Sequence, residues 1–255
     1  TIEDGLSQAT AETIIQDSKG YIWIGTNDGL NRYNGSEIKV FKSDDEDSNS
    51  IISNYITALG EDKNRNLWVG TDEGLSRVNL DDYSIKNYRY ENNDKKTPYY
   101  AIITIYIDES GQVYMGNNMG VYLYNEKEDS FKKILDLKNG LSDKNIYSIT
   151  KDKDNNLWIG TALGLNKFDV STNKVTPYKV GTVDTIEVNT IGKMFEKNKD
   201  IYIVYEESEE NQKVTTTLKI SEEEVSIKRV GNVNSLMIFK ENHKNLTKYK
   251  PNQGL

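Results

Sequence analysis

Four aspartates, Asp17, Asp62, Asp108 and Asp152, each lie six residues ahead of an aromatic: Trp23, Trp68, Tyr114 and Trp158. Carboxylates in Asn- and Asp-rich turns can supply the hard oxygen ligands that Ca²⁺ takes. Here each turn offers few carboxylates and no Asp-x-Asp-x-Asp-Gly loop occurs. A short acidic side chain also bonds its own backbone two residues on, and that structural role suits the spacing better. The aromatics could stack on sugars or bases. They sit mid-strand at a regular period, so packing between neighbouring sheets is the expected role. A single histidine, His243, lies in a charged segment. One imidazole builds neither a catalytic triad nor a histidine metal cluster. There is no cysteine, which removes disulfides and thiolate metal sites. These residues therefore point to no catalytic group, no metal ligand and no cofactor.

Recognition chemistry is expected elsewhere. Asn27 and Asp28 precede Gly29, Asp72 and Glu73 precede Gly74, and Asn117 and Asn118 stand shortly before Gly120. These three loops connect predicted strands, and their residues differ from copy to copy while the flanking strands do not. Function on a repetitive scaffold is commonly grafted onto such loops. Asn27, Asp28, Asp72, Glu73, Asn117 and Asn118 are thus the candidate ligand-binding residues. The acidic runs Asp44–Asp47, Glu206–Glu210 and Glu222–Glu224 read as solvated loops, with a basic partner as the alternative.

The elements that must position these loops repeat. Asp17-Ser-Lys-Gly-Tyr-Ile-Trp-Ile-Gly-Thr26 returns as Asp62–Thr71, Asp108–Asn117 and Asp152–Thr161. Fainter copies follow, with Glu196 six residues before Tyr202 and Glu241 six before Thr247. The aromatic position recurs at 23, 68, 114, 158, 202 and 247, a spacing of 44 to 46 residues. A period in this range, with short strands and Gly-rich turns, is the mark of a β-propeller. The expected fold is all-β: four-stranded antiparallel blades, five complete and a sixth incomplete, in one domain over residues 1–255. First strands fall near 11–16, 55–61, 101–107, 146–151, 189–195 and 235–240. Second strands fall near 21–26, 67–71, 112–116, 157–161, 201–205 and 246–250. Third strands begin at Leu30, Leu75, Val121 and Leu165, each directly after a glycine. In the second copy the fourth strand is Ile85–Tyr90, and the next blade opens near 98–100. The late copies lose glycines to Val204, Ser208 and Tyr249, so their local shapes should differ. The incomplete last blade, Asn234–Leu255, would leave a strand edge that invites pairing with another chain.

Composition narrows the partners. The chain carries 40 acids against 32 bases, a net charge of −8, with 36% hydrophobic residues. That balance disfavours nonspecific binding to nucleic acid or to anionic membranes. No apolar run is long enough to span a bilayer and no signal peptide is present. Position 1 is Thr, which reads as a piece of a larger protein. A membrane anchor, if the parent has one, would lie outside this chain.

The pattern Asp-x-x-Gly-x-Leu-Trp-Ile-Gly-Thr-x-x-Gly-Leu-x-x-Tyr/Phe resembles the two-component regulator propeller repeat. The resemblance is close at Asp17–Asn34, Asp62–Asn79 and Asp152–Asp169, partial at Asp108–Asn125 and weak after 185. It implies a bacterial sensor propeller on the extracytoplasmic face, often seven-bladed, in a membrane-anchored parent with a histidine kinase, diguanylate cyclase or DNA-binding output domain. Some relatives sense glycan fragments, so the implied partner is a small molecule or glycan fragment. The family motif marks scaffold and assigns no ligand-binding residue. A ligand-sensing domain ranks first. A protein-interaction or dimerisation scaffold, including a homodimer through the incomplete blade, ranks second. A propeller lyase or hydrolase, with carboxylates converging on the axis, ranks third.

Overall fold

In the computed structural model, residues 2–89, 101–152 and 154–178 are described in full, followed by the backbone of short strands between 182 and 248. The chain is all-β and falls into two compact units, Thr1–Ile134 and Leu135–Leu255.

The first unit holds three four-stranded antiparallel sheets, each paired in chain order. They are β1 (Ala11–Gln16), β2 (Ile22–Thr26), β3 (Gly29–Tyr33) and β4 (Ile38–Phe41); β5 (Ile56–Glu61), β6 (Asn66–Thr71), β7 (Leu75–Asn79) and β8 (Ile85–Tyr88); and β9 (Ile102–Ile107), β10 (Val113–Asn117), β11 (Gly120–Asn125) and β12 (Ser130–Leu135). First strands of successive sheets lie side by side, β1 with β5 and β5 with β9. This is the arrangement of inner strands in propeller blades. Each first strand carries a bulge at the same place, between Ala11 and Thr13 and between Ile56 and Ala58. A bulge at a repeated position re-aims the strand as it enters the blade.

The repeat residues explain the packing. Trp23 and Trp68 are fully buried. Trp23 packs with Ile56, Leu67 and Val78 of the second blade, and Trp68 with Ile102, Val113 and Tyr124 of the third. The glycine after each Trp-Ile or Trp-Val lets the next blade approach. A Cβ on Gly25 would stand 2.5 Å from Ile56 Cγ2, and one on Gly70 would stand 2.8 Å from Ile102 Cγ2. Gly74, at φ +146°, also faces the Tyr88 carbonyl, which would lie 2.8 Å from an added Cβ. Both the backbone conformation and the space demand glycine there.

In the second unit, β13 (Ile146–Lys151), β14 (Leu157–Thr161), β15 (Gly164–Asp169) and β16 (Lys174–Tyr178) form a fourth blade with the same pairing order and the same bulge, between Ile146 and Ser148. Beyond it the pattern changes. After the short hairpin of β17 (Thr182–Val183) and β18 (Ile186–Glu187), β19 (Lys193–Lys197) pairs β20 (Asp200–Val204) and lies beside β13, as a first strand should. A three-stranded sheet then intervenes: β21 (Glu206–Glu209), β22 (Gln212–Ile220) and β23 (Val225–Arg229). The chain returns with β24 (Met237–Phe239), which pairs β20, and β25 (Thr247–Lys248), which pairs β24.

Two expectations are corrected by this pairing. Residues 235–240 do not open a sixth blade; β24 occupies the third place in the fifth sheet. The acidic run at 206–209 is a strand, not a turn. Its partner strand β22, rich in β-branched residues, pairs it through Gln212–Thr215 and continues to β23. Without the glycine that closes the β2–β3 turn in the earlier blades, the chain makes a long excursion before returning. The 222–224 run, His243, the 98–100 segment and most of Asn234–Leu255 lie outside the described residues.

Candidate functional site

Each repeat aspartate is occupied by its own blade. Asp17 Oδ1 accepts the Lys19 and Tyr21 N–H groups at 2.9 Å, and Oδ2 accepts Trp23 Nε1 at 2.7 Å. Asp62 accepts from Asn64, Asn66 and Trp68 Nε1, the last at 2.8 Å. Asp152 accepts from Asp154, Asn156 and Trp158 Nε1. The six-residue spacing is thus a hairpin carboxylate that closes its turn with one oxygen and holds the indole with the other. Burial alone would raise the Asp152 carboxyl; its bonds from Asn156 and Trp158 and the Lys167 charge outweigh this and hold it below its ordinary value. The left-handed residue of the turn is Gly20, Arg65, Gly111 or Asn155. In the second blade it is therefore Arg65, not one of the neighbouring asparagines. Among the described residues no group of three or more His, Cys, Asp or Glu could hold a metal ion.

The candidate loops lie where β2 meets β3, β6 meets β7 and β10 meets β11, and two of them are tied to the segments that lead into first strands. Thr26 Oγ1 and Ser7 Oγ are 2.9 Å apart, and Asn27 N–H donates to Gln8 Oε1 at 3.3 Å. Ser53 Oγ donates to Asp72 at 2.7 Å. Asp28 pairs with Lys42. The Glu73 N–H donates to Thr71 Oγ1 at 3.2 Å. Asn117 is fully buried, and its Oδ1 accepts the Met119 N–H at 2.8 Å. It does the turn-closing work that Thr26, Thr71 and Thr161 do in the other blades. Asn118 is half-buried. Of the six, Asp28, Asp72, Glu73, Asn27 and Asn118 keep some access to solvent, whereas Asn117 has none.

A second cluster went unnoticed in the sequence. Nine residues after each Trp stands a cation, Arg32, Arg77 or Lys167, directly across the strand pair from it. Each lies over its indole, at 5.9, 5.6 and 5.2 Å from the ring centroid. Tyr114, the non-Trp member of the series, faces Leu123 instead. This pairing was legible as a Trp-x₈-Arg/Lys spacing.

The two clefts of the first unit share their cations and differ in what faces them: Tyr83 stands in the place of Asp129, and Phe41 in the place of Tyr88. Between the second and third blades, Arg77 Nη1 donates to Asp129 at 3.0 Å. Tyr88 and Tyr124 hydroxyls donate to the same oxygen at 2.6 Å, and Lys86 pairs with the other. Burial alone would raise the Asp129 carboxyl. The bonds from Lys86, Tyr124 and Tyr88 and the Arg77 charge overcome it and hold the group well below the usual carboxylate range. Burial and the Asp129 bond push both phenols up. Between the first and second blades, Arg32 and Lys39 take the places of Arg77 and Lys86 across β3 and β4. The place of Asp129, a positive-φ residue fifteen after the repeat aromatic and followed by Ser, is held by Tyr83. Its ring lies 4.6 Å from the Arg32 guanidinium, and Tyr21 covers the group at 4.8 Å.

Comparison with known proteins places these observations. Residues 5–28, 50–73 and 140–162 match the two component regulator propeller family, and residues 170–255 match a domain of unknown function, DUF1934. The second match covers the region where the blade pattern changes. Over 48 residues the chain is 48% identical to histidine kinase P4 of Formosa agariphila, a stretch covering 19% of this chain and 4% of that protein. The fold is similar to the extracellular domain of the hybrid two component system BT4673 of Bacteroides thetaiotaomicron, with a TM-score of 0.66 at 20% identity over 95% of this chain and 34% of that one. It is also similar to virginiamycin B lyase of Staphylococcus aureus, with a TM-score of 0.61 at 15% identity over 92% and 79% of the two chains. At such identities the likeness is one of fold. The chain spans about a third of the sensor's extracellular domain and a small fraction of the kinase.

Proposed function

We propose that this chain, which carries two component regulator propeller repeats at three places, is a ligand-sensing propeller domain of a bacterial signalling protein. The domain stands on the extracytoplasmic face of a membrane-anchored parent and binds a small molecule or glycan fragment without turning it over. The observation that carries this reading is the set of family matches in register with the structural blades. The resemblance to a histidine kinase over 48 residues and the fold shared with a two component sensor support it. No helix among the described residues is long and apolar enough to cross a membrane.

The recognition surface is the loop face carrying Asn27, Asp28, Asp72, Glu73 and Asn118. These side chains vary while the Asp, Trp and Gly positions around them are committed to the blades. A screen of mono- and oligosaccharides by thermal shift on the full chain tests the reading. A saturable rise in melting temperature, weakened in Asp72→Ala or Asn118→Ala, is expected. If no ligand raises stability and a sugar or peptide is chemically converted instead, the lyase-like reading suggested by the virginiamycin B lyase fold replaces this one.

A further inference from the structure

The Arg32 cleft holds charge that no described residue of its blade pair neutralises. Arg32 Nε and Nη1 are shielded from solvent and have no hydrogen-bond partner among the described residues. Aromatic faces on Tyr21, Trp23 and Tyr83 hold the guanidinium in place but accept none of its in-plane N–H bonds. Lys39 is exposed, with its ammonium 5.8 Å from the same Tyr83 ring. The acids beside Tyr83 are committed elsewhere. Asp81 pairs with Lys19 and Arg65, and Asp82 accepts from the Ser84 N–H and hydroxyl of its own turn. In the next cleft the equivalent two cations share one carboxylate, Asp129. The fold thus shows, within one molecule, what satisfies this pair of cations.

We propose that Arg32 and Lys39 bind the carboxylate of a free small ligand, which supplies from solution the charge that Asp129 supplies from the chain. A carboxylate at the mouth of the cleft offsets the guanidinium charge, and the exposed Lys39 ammonium adds a point charge beside it. The aromatic cover excludes water from one side and strengthens the pairing. This site lies at the far end of the strands from the β2–β3 loops, and it stands whether or not the loop face binds a sugar.

The probe is malonate, titrated into the full chain against sodium chloride of matched ionic strength, with the arginine Nε–Hε signals followed by NMR at two protein concentrations. The Arg32 signal should move saturably and independently of protein concentration, while the Arg77 signal stays still. Lys39→Gln, a change at an exposed residue, should weaken the malonate effect by about tenfold, roughly 1.4 kcal/mol. Tyr83→Asp should abolish it by closing the site from within. The proposal is overturned if Arg32 and Arg77 respond alike, if sodium chloride reproduces the shift, if the shift depends on protein concentration, or if Lys39→Gln leaves it unchanged.

Discussion

The two inter-blade clefts of the first unit are built from one plan and end in different chemistry. Both place a tryptophan under a cation, with an aromatic from the fourth strand against the indole: Phe41 at 5.4 Å from Trp23 and Tyr88 at 5.7 Å from Trp68. In one cleft the αL residue of the neighbouring turn is Asp129, and the cations are neutralised. In the other it is Tyr83, and no described carboxylate pairs with Arg32 or Lys39. A repeat protein can thus hold its scaffold constant and change the local chemistry of a cleft through the few residues that depart from the repeat. The repeated residues secure the blades; the position that departs from the repeat decides whether a carboxylate of the chain faces the cations.

The largest way to break the comparison is to remove what the clefts share. Trp23→Ala and Trp68→Ala should each cost about 3–5 kcal/mol in denaturant unfolding, as emptied aromatic core positions do. Near-equal losses would confirm a common scaffold. A loss at one and not the other would mean that the clefts are not equivalent. Gly70→Ala comes next, since its Cβ would press on Ile102 and Ala58. An overpacking cost of about 1–3 kcal/mol is expected by the same measurement. Asp129→Ala should cost a similar 1–3 kcal/mol, because Arg77, Lys86 and two phenols lose their acceptor. Tyr83→Phe, which removes a hydroxyl with no described partner, should be within a few tenths of neutral.

The acid limb sharpens the contrast further. Asp129 has a folded pKa below its unfolded value, so its contribution is present above an ordinary carboxylate pKa of about 4 and is lost as pH falls through the lower folded value. Asp152 is shifted in the same direction and adds to the same limb. Melting temperature followed from pH 6 downward should therefore drop below about pH 4. Asp129→Asn should flatten part of that drop. An unchanged acid limb in this variant would mean that the pairing contributes nothing to pH-dependent stability.

The fold of the first four blades was legible because two periods coincide: strand alternation and a 44- to 46-residue repeat. Strand starts predicted at Leu30, Leu75, Val121 and Leu165 fall on or beside the observed ones, since a positive-φ glycine fixes each turn. The register carried by Tyr202 and Thr247 was misleading about connectivity. Spacing survives an inserted hairpin, so β24 could be counted as a first strand while it pairs with β20. Asn117 stands fully buried in its turn because Asn replaces Thr at a position whose bonding is visible only in three dimensions. The Arg32 and Arg77 clefts were missed for a different reason. Their partners come from a neighbouring blade, 47 to 52 residues away in the case of Arg77 with Tyr124 and Asp129. No local pattern announces such a pairing, although the nine-residue step from tryptophan to cation was there to be seen.

The equivalence of the two clefts is open to one direct measurement, a pair of double-mutant cycles by urea unfolding. The first removes Arg77 and Asp129 singly and together, as Arg77→Gln and Asp129→Ala. The second combines Arg32→Gln with Tyr83→Asp. Coupling of about 0.5–3 kcal/mol is expected in both cycles, because an acid installed at position 83 should meet Arg32 as Asp129 meets Arg77. Coupling in the first cycle and none in the second would contradict the account, since Arg32 would then not occupy the place in its cleft that Arg77 occupies in its own.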